Sequence, residues 1–253
     1  MAIRLNNVYK SFGSHHVLQG CTIEVRDGET LVIIGGSGTG KSVTLKIMIG
    51  LMKPDRGEVF VDDEEITDLN EEGLSKVQHK FAYVFQMGAL FDSLTVGENV
   101  AFGLKQLHKY DAVKTRDIVG KTLSLVGLDG IEKLKPAELS GGMRKRVAIA
   151  RAVAMSPEYL FYDEPTTGLD PIMSDVINDL ILNLHSKLGT TGVVITHDMK
   201  SAYKVATRIA MLYDGRIIEV DTPERIQNSK NPVVRQFITG SSQGPIQMKV
   251  RAY

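Results

Sequence analysis

At 253 residues, 43% of them apolar and 24% charged, the chain carries enough apolar material for a substantial core and is not a disordered polymer. Thirty basic and thirty acidic side chains cancel to zero net charge, which argues against a surface built for general attraction to a nucleic-acid backbone. The single cysteine, Cys21, allows no internal disulfide, and no run approaches the ~18 apolar residues of a membrane helix. In the stretch Cys21-Thr22-Ile23 the thiol reads as a small buried hydrophobe of a reducing compartment, and Met1-Ala2-Ile3-Arg4 opens into strand-like sequence with no signal-peptide core.

β-favouring runs at 3–8, 17–25 and 30–34, with turn signals at Phe12-Gly13-Ser14 and Asp27-Gly28, predict a small antiparallel layer leading into a central strand. Phe12 sits at the end of the first strand, where its face can stack on a purine or pack in the core. After the central strand come Gly35, Gly36, Ser37, Gly38, Thr39, Gly40, Lys41 and Ser42, fitting G-x-x-x-x-G-K-[ST], and then the helix-compatible run 43–51. Strand, glycine-rich loop and helix together predict a phosphate cradle, with backbone N–H groups converging at a positive helix end. Lys41 is placed to reach the β- and γ-phosphates and Ser42 to ligate Mg²⁺.

A turn at 53–57 and a strand at 58–61 precede the acidic stretch 62–65, which reads as a solvated edge. Residues 81–85 form a buried strand ending at Gln86, a polar side chain at the carboxyl end of a strand, where open α/β sheets bind ligands. Met87, Leu90, Phe91 and Leu94 then form an apolar cluster that suggests a groove for a partner helix or buried packing. From 95 to 136 the spacing of Val96, Val100 and Leu104 is helical, with breaks at Gly127, Gly130 and Pro136, which predicts a helical insert.

Leu139-Ser140-Gly141-Gly142-Met143 precedes a helix over 144–155 and offers a second anion site, with an ordinary capped helix start as the equal alternative. Val147, Ile149, Ala150 and Val153 give that helix an inner face, leaving Arg144, Lys145, Arg146 and Arg151 as its solvated one. Residues 159–164 form an apolar strand closing on Asp163 and Glu164. Beside a phosphate loop, one carboxylate can hold the Mg²⁺ shell and the next can align and deprotonate the attacking water. A turn at 166–171 leads into a helix over 172–187, with Asp170 as its N-cap or as a contact residue. A last buried strand at 192–196 ends at His197, a candidate γ-phosphate contact.

These residues, in this order, resemble the ATPases of ABC transporters over nearly the whole chain. Phe12 falls at the adenine-stacking position, Gly35 to Ser42 at Walker A with Val43 following, and Gln86 at the Q-loop. Leu139 to Met143 fall at the signature, 159–164 at Walker B, Gly168-Leu169-Asp170 at the D-loop and His197 at the switch histidine. The resemblance implies an α/β P-loop NTPase with a RecA-like core, an N-terminal antiparallel β layer and a helical insert at about 92–155. It implies an ATPase domain over 1–240 followed by a tail at 241–253. Its cofactors are ATP and Mg²⁺, the cation held by Ser42, Gln86 and Asp163, with Glu164, His197 and Gln86 as catalytic residues. It also implies a head-to-tail homodimer in which Ser140, Gly141 and Gly142 of one subunit cover the ATP of the other, with Asp170 near the nucleotide. Met143 stands where the commonest form has glutamine, which puts a ribose hydrogen bond from that position in question.

Several stretches narrow the resemblance to the Mla/Mce phospholipid-transport type, the MlaF type. They are 36–45, 85–94, 140–146, 166–175, and Gln236-Phe237-Ile238-Thr239-Gly240 followed by Gly244-Pro245-Ile246. This implies an ATPase on the cytoplasmic side of a bacterial inner membrane, bound peripherally to two copies of an MlaE-type permease. An MlaD-type Mce protein and, as an optional component, a small MlaB-type subunit complete the implied assembly. The alternatives are an importer of amino acids or metal ions and a soluble ABC ATPase acting on nucleic acid. The latter usually carries a duplicated domain or a coiled-coil insertion, and 43–138 contains neither. The tail sets Ile246, Met248, Val250 and Tyr253 at alternate positions, which suggests an extended segment on a neighbouring subunit. From Arg225 on, Lys230, Arg235, Lys249 and Arg251 are its other charges, so a contact with anionic lipid stays open, as does a disordered connector at 241–245.

Overall fold

The computed structural model describes residues 2–107 and 110–247. In chain order the elements are β1 (Ile3–Phe12), β2 (His15–Val25), β3 (Thr30–Ile34), α1 (Lys41–Met48), β4 (Arg56–Val61), β5 (Glu64–Glu65), α2 (Glu71–Gln78) and β6 (Phe81–Val84). They continue with α3 (Val96–Leu107), α4 (Ala112–Leu125), α5 (Gly141–Val153), β7 (Tyr159–Asp163), α6 (Pro171–Leu188) and β8 (Thr191–Ile195). The chain closes with α7 (Met199–Val205), β9 (Arg208–Tyr213), β10 (Arg216–Asp221), α8 (Pro223–Gln227) and α9 (Pro232–Thr239).

Two sheets organise the protein. The smaller is antiparallel, in the order β2-β1-β4-β5, as the N-terminal runs predict. The larger has the order β10-β9-β3-β8-β7-β6, with every neighbouring pair parallel except β10 on β9. Its inner strands are apolar on both faces because both faces are covered. Along β3, Val32 and Ile34 enter the core cluster shared with α3, α4 and α5, while Leu31 and Ile33 enter the cluster shared with the antiparallel sheet and α1. The same alternation splits Leu160 and Tyr162 from Tyr159 and Phe161 along β7, as a period of two demands.

Parallel pairing also sets the site. Because β3, β6, β7 and β8 run the same way, the residues that follow them, Gly35, Phe85 to Gln86, Glu164 and His197, emerge at one edge of the sheet.

The insert packs as three helices, α3 to α5, against this edge. Asn99, buried in α3, accepts from Phe91 N at 2.8 Å and donates to the carbonyls of Phe91 and Thr95, so the turn after β6 is fastened to the insert. The acidic stretch is the solvated edge its composition suggests: Asp62 to Glu65 are exposed, Glu64 and Glu65 form the outermost strand beside β4, and Asp62 accepts hydrogen bonds from Lys80 and from the Tyr159 hydroxyl. The tail is less free than its composition suggests. Gln236, buried on α9, accepts from Ile246 N at 2.6 Å and donates to Ile246 O at 3.1 Å and Ser241 O at 3.2 Å, folding 241–246 back on the helix. Met248, Lys249, Val250, Arg251 and Tyr253 lie outside the described residues.

Candidate nucleotide and metal site

The loop from Gly35 to Gly40 joins the end of β3 to α1, which begins at Lys41, two residues before the predicted start. Gly40 caps that helix in the left-handed region at φ 102°, where a side chain would also meet Val17 Cγ1 at 2.8 Å, so a residue without Cβ is required on both counts. Lys41 is buried, and its ammonium donates to Gly35 O at 2.9 Å and Gly36 O at 2.8 Å. Burial draws its pKa below the ordinary lysine value, opposed by the charges of Glu164 and Asp163. Phe12, Val17, Gly38, Lys41, Ser42 and Val43 line one open cleft. Phe12 is 49% exposed there, so the structure places its ring at the cleft and not in the core.

Ser42 Oγ donates to Asp163 Oδ1 at 3.2 Å, across the gap between α1 and β7. This pair of hard oxygens suits Mg²⁺, which typically takes one or two protein ligands and completes its shell with water and phosphate oxygens. The described residues contain no group of three or more His, Cys, Asp and Glu able to hold a metal. The second oxygen of Asp163 is held by Tyr83 Oη at 2.8 Å.

Glu164 is the last residue of this arm and is buried. It adopts φ 52°, unusual for a side-chain-bearing residue, with its N–H donating to Ile195 O at 3.0 Å. Thr167 Oγ1 donates to Glu164 Oε2 at 3.0 Å, and His197 Nδ1 lies 2.8 Å from the same oxygen. A carboxylate only accepts, so Nδ1 carries the proton. Oε1 makes no hydrogen bond among the described residues.

Ser140 caps α5 by accepting from Met143 N at 3.2 Å, which starts the helix at Gly141 where the sequence pattern placed it at 144. Gly142 is buried under Met173, where a Cβ would lie 2.6 Å from Met173 Cε. Asp170 caps α6, accepting from Ile172 N and Met173 N at 3.0 Å each. Ser140, Gly141 and Asp170 are exposed, while Leu139 and Gly142 are buried, and none of them makes a hydrogen bond to the Gly35 to Ser42 loop among the described residues.

The basic face of α5 is not a solvated one. Arg144 is exposed, but Lys145 is buried and its ammonium donates to the carbonyls of Gln86 and Glu164. Arg151 donates to Ala89 O at 2.7 Å and Gly88 O at 2.8 Å, and Arg146 to Gly127 O at 3.0 Å. Helical periodicity could not show this, because a long basic stem packs on apolar surface while its head takes main-chain acceptors from loops distant in sequence. Gln86 itself is exposed, and its side chain makes no hydrogen bond to Asp163 or Ser42. Tyr83, Thr167 and Lys145 are site residues that no motif marks. A tyrosine two residues before the end of a strand beside an acidic strand end was the only available signal for the first.

Known proteins give the arrangement a family. Residues 18–167 match the ABC transporter family. The chain is 43% identical to the chloroplastic protein TRIGALACTOSYLDIACYLGLYCEROL 3 of Arabidopsis thaliana, with 96% of this chain and 75% of that one aligned. It is 35% identical to the intermembrane phospholipid transport system ATP-binding protein MlaF of Escherichia coli K12, over 99% of this chain and 93% of that one. Among solved structures, the dimeric ATP-binding cassette MJ0796 bound to ADP and Pi superposes with a TM-score of 0.79 at 35% identity, covering 87% of this chain and 98% of that one. The matched region exceeds half the chain and the relatives span nearly all of it, so the chain belongs to the ABC transporter family.

Proposed function

We propose that this chain is the ATP-hydrolysing subunit of an ABC transporter that moves phospholipid between membranes. The observation that carries the hydrolytic part is Glu164. Its Oε2 is fixed by His197 and Thr167 while Oε1 is left open, next to the Ser42–Asp163 pair at the edge where four parallel strands end. In this reading the loop amides and Lys41 bind the polyphosphate, Phe12 stacks on the adenine, and Ser42 and Asp163 hold Mg²⁺, with Gln86 swinging in from β6. When bound, the cation neutralises charge on the phosphate oxygens. Glu164 takes the proton of the attacking water at Oε1, and His197 keeps the carboxylate oriented.

The single chain presents a nucleotide loop at one place and a capped, glycine-rich helix start with no phosphate partner at another. A head-to-tail homodimer supplies each with the other, placing Ser140, Gly141, Gly142 and Asp170 over the partner's nucleotide. The lipid substrate is supported by the names of the relatives, one a phospholipid transport ATPase and the other named for a galactolipid. No helix of the described residues is long and apolar enough to cross a membrane, so a separate permease of the MlaE type, with an MlaD-type Mce protein and an optional MlaB-type subunit, completes the reading, at the cytoplasmic face of an inner membrane.

The test is isolation from the native membrane with its bound proteins, followed by reconstitution between two vesicle populations. ATP-dependent transfer of a fluorescent phospholipid, abolished by Glu164→Gln, is the expected result. ATPase stimulation by an amino acid or metal ion, with no lipid transfer, overturns the lipid assignment.

A further inference from the structure

We infer that Tyr83 is a positioning residue for the metal-binding carboxylate: its hydroxyl holds Asp163 Oδ2 so that Oδ1 is turned toward Ser42 and the cation. The inference rests on the reading of Ser42 and Asp163 as the Mg²⁺ ligands.

The two residues sit on neighbouring strands. Tyr83 is paired in register with Phe161, and its side chain spans the two residues to Asp163, donating at 2.8 Å. The opposite carboxylate oxygen accepts from Ser42 Oγ at 3.2 Å. Asp163 is thus gripped from two sides by two different elements, β6 and α1. The terminal torsion of an aspartate is broad, so without one grip the carboxylate plane is free to turn. The phenol is half-buried, with its ring centroid 4.5 Å from that of Phe85. A phenol hydroxyl beside a carboxylate that only accepts is the donor of the pair.

Mg²⁺ demands near-ideal octahedral geometry and dehydrates reluctantly, so the orientation of its one carboxylate matters more than for a larger cation. Partners that orient metal ligands without touching the metal typically cost 10–100-fold in affinity when removed. Tyr83 has that place here. Its ring also touches Phe85, the residue before Gln86 on the exposed side, so the same side chain sits between the Q-loop and the metal carboxylate.

Tyr83→Phe keeps the ring and deletes only the donor. Binding of the non-hydrolysable analogue AMP-PNP is measured for wild type and variant, once with Mg²⁺ and once with EDTA. The expected result is unchanged affinity in EDTA and about tenfold weaker affinity with Mg²⁺. Equal affinities of the two proteins under both conditions overturn the inference. A melting temperature in EDTA more than about 10 °C below wild type also overturns it, since the residue would then be structural. Failure of wild type to bind AMP-PNP under either condition would instead sink the nucleotide-site reading on which the inference stands.

Discussion

His197 Nδ1 and Glu164 Oε2 lie 2.8 Å apart, and the imidazole reaches across from the end of β8 to the end of β7 to make that bond. The histidine ring is 62% exposed while the carboxylate is 12% exposed, so a mostly buried carboxylate is oriented by a group that faces solvent.

Glu164→Gln is expected to retain ATP binding and to lose about 10²–10⁴-fold in turnover, the usual worth of a positioned base. The amide keeps the size of the side chain and cannot take a proton from water. Lys41→Ala should act on the other axis, weakening nucleotide binding, because its ammonium is held over the loop by Gly35 O and Gly36 O. Separate measurement of ATP affinity and hydrolysis for both variants checks the pair. A Glu164→Gln protein hydrolysing at the wild-type rate removes the assignment.

Lys145→Met is expected to lower stability by about 1–3 kcal/mol, the cost of leaving the carbonyls of Gln86 and Glu164 without their donor in a buried place. It should lower ATPase activity as well, since the same ammonium ties the helix that starts at Ser140 to the segments carrying Gln86 and Glu164. Urea denaturation and steady-state hydrolysis measure both, and Lys145→Arg should recover more of each than Lys145→Met.

This lysine marks the boundary of what sequence could reveal. The strands were legible because runs of three or four apolar residues bounded by turn signals have few alternatives in a sheet covered on both faces, and β3, β7 and β8 lie within a residue of their predicted places. The motif residues were legible because a phosphate loop needs glycine and lysine at fixed spacing. Lys145 and Tyr83 were not, because their partners are main-chain or carboxylate oxygens 59 and 80 residues away, brought near only by the packing of α5 on β6 and by the parallel pairing of β6 with β7. The elements after His197, namely α7, β9, β10 and α8, are not among the predicted ones, although Ile209 to Tyr213 in β9 is an apolar run as continuous as those of β3 and β7.

Cys21 is fully buried in β2, and burial pushes its thiol up to about 12 from an ordinary value of 9.0. The folded state thus favours the protonated thiol. The stabilising contribution is fully present below pH 9.0 and is lost as pH rises from there toward about 12. The native protein should resist alkylation at pH 8 and react fully in urea. Cys21→Ala should flatten the decline of stability above pH 9, read by melting curves across that range. Rapid alkylation of the native protein at pH 8 contradicts the burial.

Phe91 is 42% exposed, with its ring 4.5 Å from Phe102 and the Arg151 guanidinium 6.0 Å away, and Met87 beside this segment is 86% exposed. Leu90 and Leu94, the other two apolar residues after Gln86, are half-buried. A permease helix docking after Gln86, as the apolar cluster suggests, would meet this exposed aromatic pair. Phe91→Glu should leave folding and ATP binding intact and release the protein from membranes. If the variant still sediments with its permease, the docking surface is elsewhere.

The tail is held at one point that can be broken cleanly. Gln236 makes three hydrogen bonds to Ser241 and Ile246, and Gly244 passes so close that a Cβ there would lie 2.4 Å from Gln236 Oε1. Gln236→Ala removes the clasp without touching the ATP cleft, so thermolysin, which cuts before bulky apolar residues, should cleave at Ile246 several-fold faster than in wild type. ATP binding to the isolated subunit should be unchanged. If the segment beyond the clasp packs on a second subunit, deleting 241–253 weakens the dimer and lowers turnover in detergent, and Gln236→Ala reproduces part of both losses by misdirecting the tail. Sedimentation analysis of the three proteins with Mg-ATP reads the dimer directly. Unchanged dimerisation and turnover after the deletion rule out subunit packing and leave a disordered tail or a lipid contact, which loss or retention of binding to anionic vesicles by the deletion variant tells apart.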